Sequence, residues 1–315
     1  MKSFITHILI FFVTGFVLAI GLEWVADQGL RTLPNTKFEE WKKLFDGDIS
    51  SEIVILGSSR ACVNYNPNEI EKLTELSTYN LGFNAASYNL QKKKYEIYLA
   101  YNAQPKVVIQ NIDLSHFSPS NEVPETQQFI PFFAKKELRY FLNSYDNSSK
   151  ELSFMPLVKY NTNLVFFVKG IMSFLGIKRP IFASKDGHTP VNKKYKADKF
   201  NLNRLKNADQ IRVTDHDYNQ VLTMIKDMAL SSRVVLVWAP ELEDRRVLVH
   251  KQMEGIQDKL KKLVAENEAI SFLDYSKDSI SFNKDYFYDS FHLNEKGANL
   301  FSNKLAMDLQ NLVKQ

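Results

Sequence analysis

An α/β fold with a parallel sheet covered by helices is what this 315-residue chain predicts, and three observations predict it. Short runs of β-branched and apolar residues recur from residue 53 onward, each stopped by a turn-forming residue. Segments of helical periodicity separate those runs. The residues able to do chemistry fall just after the runs, where open α/β sheets bind their ligands, beyond the carboxyl ends of the strands.

The elements follow in order. Ile53-Val54-Ile55-Leu56, ended by Gly57, reads as a buried parallel strand because it is apolar throughout rather than alternating. A helical segment follows Ser59. Thr78-Tyr79-Asn80-Leu81 is a second strand ending at Gly82, and a helix runs over residues 88–101. Val107-Val108-Ile109 is the third strand. Val234-Val235-Leu236-Val237-Trp238 ends at Ala239-Pro240, helical periodicity covers 247–264, and Ile270-Ser271-Phe272-Leu273 closes the series before a helix that follows Asn294.

Residues 117–215, approximately, break this rhythm and read as an insertion between a strand and the next helix, placed where it can cover the active site. The insertion holds a helix at 134–143, an apolar stretch at 163–175 read as core, and a turn-rich basic run at 184–199. Its positive charge suits an anionic surface or a glycan.

The amino terminus differs in kind. No formal charge occurs from Ser3 to Leu22, a length that spans the hydrocarbon core as one helix. Lys2 precedes it and Glu23 and Asp27 follow, so residues 1–23 read as a transmembrane anchor that leaves the amino terminus cytoplasmic and exports the rest. A cleaved signal peptide, with Ala19-Ile20-Gly21 as its small-x-small site, is the competing reading. Residues 24–50, with Trp24, Phe38, Trp41 and Phe45, form a juxtamembrane connector carrying a short amphipathic helix, and the α/β domain occupies 51–315.

Composition excludes several classes. A hydrophobic content of 44% and a charged content of 24% are those of a chain that packs a core. The single cysteine, Cys62, excludes an intramolecular disulfide framework and a cysteine metal cluster, and reads as buried packing. No metal-ligand spacing, phosphate-binding glycine loop or basic stretch interleaved with aromatics occurs, so neither metal, cofactor nor nucleic acid is expected. His188 is read as a solvated loop residue, His116 and Asp113 as residues near a strand end, and Lys92-Lys93-Lys94 as a solvated helix face.

Two short motifs carry the chemistry. Gly57-Ser58-Ser59-Arg60 sits at a strand-to-helix junction, where a serine can expose its hydroxyl and backbone N–H groups can face a developing oxyanion. Alone it is better explained as a helix cap. Asp289-Ser290-Phe291-His292 stands before the last helix. One turn brings an Asp-x-x-His carboxylate to imidazole Nδ1, which fixes the tautomer and leaves Nε2 to act as base toward a serine.

With these motifs the chain resembles the SGNH/GDSL hydrolase superfamily over 51–116 and 233–315. Gly57-Ser58-Ser59 looks like its first motif, with Ser58 where Asp is usual; Gly82 in Asn80-Leu81-Gly82-Phe83-Asn84 resembles the second; Asp289-x-x-His292 resembles the last. The third, Gly-x-Asn-Asp, appears as Gln110-Asn111-Ile112-Asp113 without its glycine, so that Asn111 supplies an oxyanion amide or Asp113 merely occupies the strand end. The resemblance implies a flavodoxin-like three-layer sheet, a Ser59/His292/Asp289 triad, and an oxyanion hole from the N–H groups of Ser59 and Gly82 with the Asn111 side chain. Serine before the nucleophile, an anchor and a long insert are particularly similar to the membrane-anchored relatives of D-alanyl-lipoteichoic-acid biosynthesis and alginate-type O-acetylation. Those relatives work beside a membrane-bound O-acyltransferase on cell-envelope polymers. The expected function is therefore an extracytoplasmic serine esterase or O-acyltransferase acting on an envelope or exported polysaccharide. A non-catalytic anchored assembly or glycan-binding protein is the alternative.

Overall fold

The computed structural model describes residues 2–117, 123–145, 155–179, 184–197 and 214–313. The chain divides into two compact units, one of residues 1–46 with 121–183, the other of 47–120 with 184–315. The segment expected as one insertion is thus shared: 121–183 joins the amino-terminal helices and 184–197 returns to the sheet. The rest of the basic run and residues 200–213 lie outside the described residues.

In the larger unit, β1 (Ile53–Leu56), β2 (Thr78–Asn80), β3 (Val107–Asn111), β4 (Arg233–Trp238) and β5 (Ile270–Asp274) form one parallel sheet in the order β2-β1-β3-β4-β5. The expected α/β class with a parallel sheet is what the structure has. After β1 the chain moves outward to β2, then crosses back to β3 on the other side of β1. That reversal opens a crevice at the carboxyl ends of β1 and β3. The register pairs Leu56 with Gln110, so Gly57 and Asn111 meet at its floor.

Helices α3 (Ser59–Asn64), α4 (Pro67–Thr74), α5 (Tyr88–Tyr101), α8 (Asp215–Ala229), α9 (His250–Ala265) and α10 (Glu295–Val313) cover the sheet. Ile53, Ile55, Val107, Ile109, Val235 and Val237 pack with Ile70 of α4 and Phe301, Leu305 and Leu309 of α10 in one buried cluster. Alternation along the strands sends Val54, Val108, Val234 and Leu236 to the other face, and these too are fully buried. Burying each such side chain contributes about 1.5–3 kcal/mol, which is why uninterrupted apolar runs could only be interior strands. Lys94 departs from expectation: it is buried on α5 and its Nζ donates to the Gly82 carbonyl (3.3 Å), because the helix face that carries it turns toward the β2 loop.

The smaller unit contains α1 (Lys2–Arg31), α2 (Lys37–Asp46), α6 (Lys136–Tyr145) and α7 (Leu164–Phe174). Helix α1 is long and apolar enough to cross a bilayer, and its most apolar window is wholly exposed. Only its last turns are buried, through Ala26, Gly29 and Leu30. Those turns meet α7 at a glycine crossing: a Cβ on Gly29 would lie 1.8 Å from the Gly170 carbonyl oxygen, and one on Gly170 would lie 2.3 Å from that of Ala26. The apolar stretch expected as core is core on one side only: Phe166, Phe167 and Ile171 pack against the buried cluster of Ala26, Leu30, Phe38 and Tyr160, while Leu164, Val165 and Val168 stay outside.

Candidate active site

Both chemical motifs lie in the larger unit, and the structure brings them together across 233 residues of sequence. Ser59 opens α3 directly after β1. Gly57 makes the turn possible. Its φ is +153°, and a Cβ there would fall 2.7 Å from Ala61 Cβ and 2.8 Å from Asn111 Cβ. Ser59 is partly exposed, while its neighbours Ser58 and Arg60 are buried.

The partner loop is built locally. Asp289 Oδ1 accepts the backbone N–H groups of Phe291 (2.8 Å) and His292 (2.7 Å), which curls the chain so that His292 Nδ1 reaches Oδ2 at 2.9 Å. The loop closes on itself where Tyr288 N–H donates to the His292 carbonyl (3.2 Å). It is then fixed to α3 where Leu293 N–H donates to Asn64 Oδ1 (2.9 Å). Asn294 caps α10 by accepting Gly297 N–H (3.0 Å).

On the ring's other side, His292 Nε2 lies 2.8 Å from Ser59 Oγ. An ionised carboxylate only accepts, so the Asp289 contact assigns the proton to Nδ1 and leaves Nε2 as acceptor for the serine hydroxyl. Burial pushes the Asp289 carboxyl up, but the His292 ring and the two backbone N–H groups outweigh it and hold its pKa below the ordinary carboxylate value. The imidazole is further held between Tyr288, stacked at 5.3 Å between ring centres, and Phe291, edge-on at 4.9 Å.

The expected oxyanion donors are placed differently. Gly82 N–H donates to Asn80 Oδ1 (2.9 Å) and is committed in this conformation. Asn111 is fully buried, its Oδ1 accepting from the Tyr65 hydroxyl (2.8 Å) and its Nδ2 donating to Asp113 Oδ2 (3.1 Å), so one of its two amide hydrogens is taken. The Ser59 N–H meets no acceptor among the described residues. Asp113 also accepts from Ser58 Oγ (2.9 Å), which ties the nucleophile turn to the end of β3.

Sequence reasoning missed the clamp behind the histidine. Buried Glu241 accepts from Arg60 Nη1 (2.8 Å), Arg245 Nε (3.0 Å) and Trp238 Nε1 (3.0 Å). The two guanidiniums then face the Phe291 ring, at 4.8 Å from Arg60 and 4.0 Å from Arg245. Arg60 follows the serine and Phe291 precedes the histidine, so this cluster links the start of α3 to the loop that carries His292. An Arg directly after Ser59 and a Glu just past the β4 end were the only signals available for it.

The remaining candidates fall outside the triad. His116 is buried and contacts Gln91 Oε1 (2.7 Å) and Gln110 Nε2 (2.9 Å). His188 is also buried, against the expectation of a solvated loop, with Nδ1 3.0 Å from the Cys62 carbonyl. It belongs to a strap of 184–197 that pairs with β2 through Asn80 N–H to the Asp186 carbonyl (3.0 Å) and with the base loop through Lys196 N–H to the Tyr288 carbonyl (2.9 Å). Cys62 is buried. Among the described residues no group of three or more His, Cys, Asp or Glu converges as a metal centre.

No protein-family model and no curated protein matches the chain. Among solved structures it is similar to a chain from Streptococcus pneumonia described as a candidate platelet activating factor, at 12% identity over 97% of this chain and 99% of that one, with a TM-score of 0.40. It is also similar to an acetyl xylan esterase from the rumen bacterium Butyrivibrio proteoclasticus, at 8% identity over 83% of this chain and 64% of that enzyme, with a TM-score of 0.32.

Proposed function

We propose that the protein is a serine acyl-ester hydrolase or O-acyltransferase. The observation that carries this reading is the chain of contacts from Ser59 Oγ to His292 Nε2 (2.8 Å) and from His292 Nδ1 to Asp289 Oδ2 (2.9 Å). In the first step Ser59 Oγ gives its proton to His292 Nε2 and attacks the acyl carbonyl. The tetrahedral oxyanion is held by the Ser59 N–H and the remaining Asn111 amide hydrogen; the Gly82 N–H joins them where Asn80 Oδ1 releases it. His292 returns the proton to the departing alcohol and the acyl group stays on Ser59. An acceptor hydroxyl then gives its proton to His292 and takes the acyl group, and His292 passes that proton to Ser59 Oγ as the acyl–serine bond breaks. Water as acceptor makes an esterase; a sugar hydroxyl makes a transferase.

The setting proposed for this chemistry is extracytoplasmic. Support comes from the exposed apolar span of α1 and from the acidic residues Glu23 and Asp27 that follow it. The last turns of the same helix are packed within the smaller unit, which favours a retained anchor over a cleaved signal. A polysaccharide of the envelope, or one exported through it, is the proposed acceptor or substrate, with a membrane-bound O-acyltransferase as the proposed acyl supplier. The second reading, a non-catalytic assembly or glycan-binding module, draws on the committed Gly82 N–H.

Exposure of the protein to an activated acetyl ester tests the choice. The expected result is a mass increase of one acetyl group on Ser59 and ester turnover, both lost in Ser59→Ala. Turnover that survives Ser59→Ala, or no adduct and no turnover at all, refutes the catalytic reading.

A further inference from the structure

Among the described residues of its unit, neither α1 nor any other element covers an apolar surface that helix α7 leaves exposed. Leu164 and Val165 are each 64% exposed and Leu175 is 70% exposed, in a stripe that includes Val168. The stripe includes exposed Phe174, the last residue of α7, and continues past the helix end to exposed Ile177, after which come exposed Lys178 and Arg179.

Its position beside α1 says what meets it. Trp24 packs edge-on against Phe174 with ring centres 5.8 Å apart, while Ala26 and Gly29 meet Gly170. Contacts therefore run in opposite senses along the two helices, and α7 descends toward the end of α1 that carries the exposed apolar residues Ile20, Leu22 and Trp24. The acidic side chains at that level are paired by the protein itself: Lys159 pairs with Glu23 (3.1 Å) and Asp27 (2.6 Å), and the Tyr160 hydroxyl donates to Asp27 (2.6 Å). Carboxylates at a hydrocarbon boundary need such partners.

We infer that the foot of α7, Phe174-Leu175-Gly176-Ile177, inserts into the same bilayer leaflet that α1 leaves, with Lys178 and Arg179 at anionic headgroups. The occupant of the surface is lipid acyl chain, because the exposed apolar area is continuous with that of the span through the Trp24–Phe174 contact. Apolar residues at the boundary flanked by basic ones are the composition of an interfacial anchor, whose apolar side sinks about 5–10 Å below the headgroups. One helix fixes only where a protein is tethered; a second contact fixes how its first unit stands on the surface. This inference rests on the reading of α1 as a membrane span.

The test uses the full chain in proteoliposomes containing anionic lipid, with an environment-sensitive dye on single cysteines introduced as Leu175→Cys, Ile177→Cys or, within α1, Phe12→Cys. Native Cys62 is buried and does not compete for the label. Lipids bearing a nitroxide near the headgroup are expected to quench the dye at 175 and 177, and lipids bearing it deep in the chain to quench the dye at 12. Quenching at 12 with none at 175 and 177 overturns the inference while the span stands. Absence of quenching at all three overturns the span and the inference with it. In a second arm, Leu175→Lys with Ile177→Lys is expected to abolish quenching of a dye at Phe174→Cys while that at Phe12→Cys persists; unchanged quenching at 174 also overturns the inference.

Discussion

The two sides of the candidate site are built on opposite plans. On the base side, Asp289, His292 and Ser59 form an unbroken line of contacts, and the carboxylate is itself held by two backbone N–H groups. On the oxyanion side, Gly82 N–H and one hydrogen of the Asn111 amide are given to internal acceptors. In the proposed mechanism the proton-transfer half is thus preorganised, whereas the charge-stabilising half depends on the Ser59 N–H and on groups that must trade partners. The proposed mechanism therefore starts from a poised Ser59 and completes its oxyanion cradle when substrate arrives.

Substitutions can break or sharpen that contrast. The largest effect is expected from Ser59→Ala, which removes acyl-enzyme formation and should leave no acetyl adduct by mass spectrometry. Asp289→Asn keeps the shape of the loop but lets Nδ1 lose its proton-accepting partner, and a fall in kcat on the order of 10³–10⁴ is expected from steady-state ester hydrolysis. Glu241→Ala strands Arg60, which is fully buried, and should cost about 3–5 kcal/mol in urea unfolding because an uncompensated interior charge remains. Asn111→Ala separates the two plans most directly: if its free amide hydrogen joins the oxyanion cradle, kcat should fall by roughly 10²-fold with KM little changed. A kcat within a few-fold of the parent would assign Asn111 to the Tyr65–Asp113 network alone.

The smallest expected effect is on stability against pH. The Asp289 pKa is lowered in the folded state, so the stability it contributes is fully present above the ordinary carboxylate value of about 4 and is lost as pH falls through the lower native value. Urea midpoints of the parent and Asp289→Asn should therefore differ most near neutral pH and converge on acidification. A gap that widens in acid would contradict the sign of the shift.

The legible part of the molecule was what depends on local pattern. Five strands and the helices between them could be read because buried parallel strands are uniformly apolar and short, and because helices such as 88–101 carry their own periodicity. The Asp289/His292 pair was legible for a similar reason, since three-residue spacing and one turn suffice to join carboxylate and ring. The misread residues are those whose environment comes from distant chain. Lys94 looked like a solvated charge until the β2 loop was laid over it. His188 looked like a loop residue until the strap placed it on Cys62. The stretch 163–175 had the composition of core, and composition alone does not say that only the side carrying Phe166, Phe167 and Ile171 would be packed.

The sequence by itself determined the α/β class, the order of its strands along the chain, and the short motifs that hold Ser59 and the Asp289/His292 pair, because each is a matter of hydrophobic periodicity or short-range pattern. Only the tertiary structure decided that these motifs meet at 2.8 Å, that Glu241 clamps Arg60 and Arg245 around Phe291, and that the Gly82 N–H and one Asn111 amide hydrogen are given to internal acceptors. The physical reason is that a hydrogen bond needs its partner within about 3 Å. Across 233 residues of chain, that distance is set by the packing of the sheet and its helices and by no property of either motif alone.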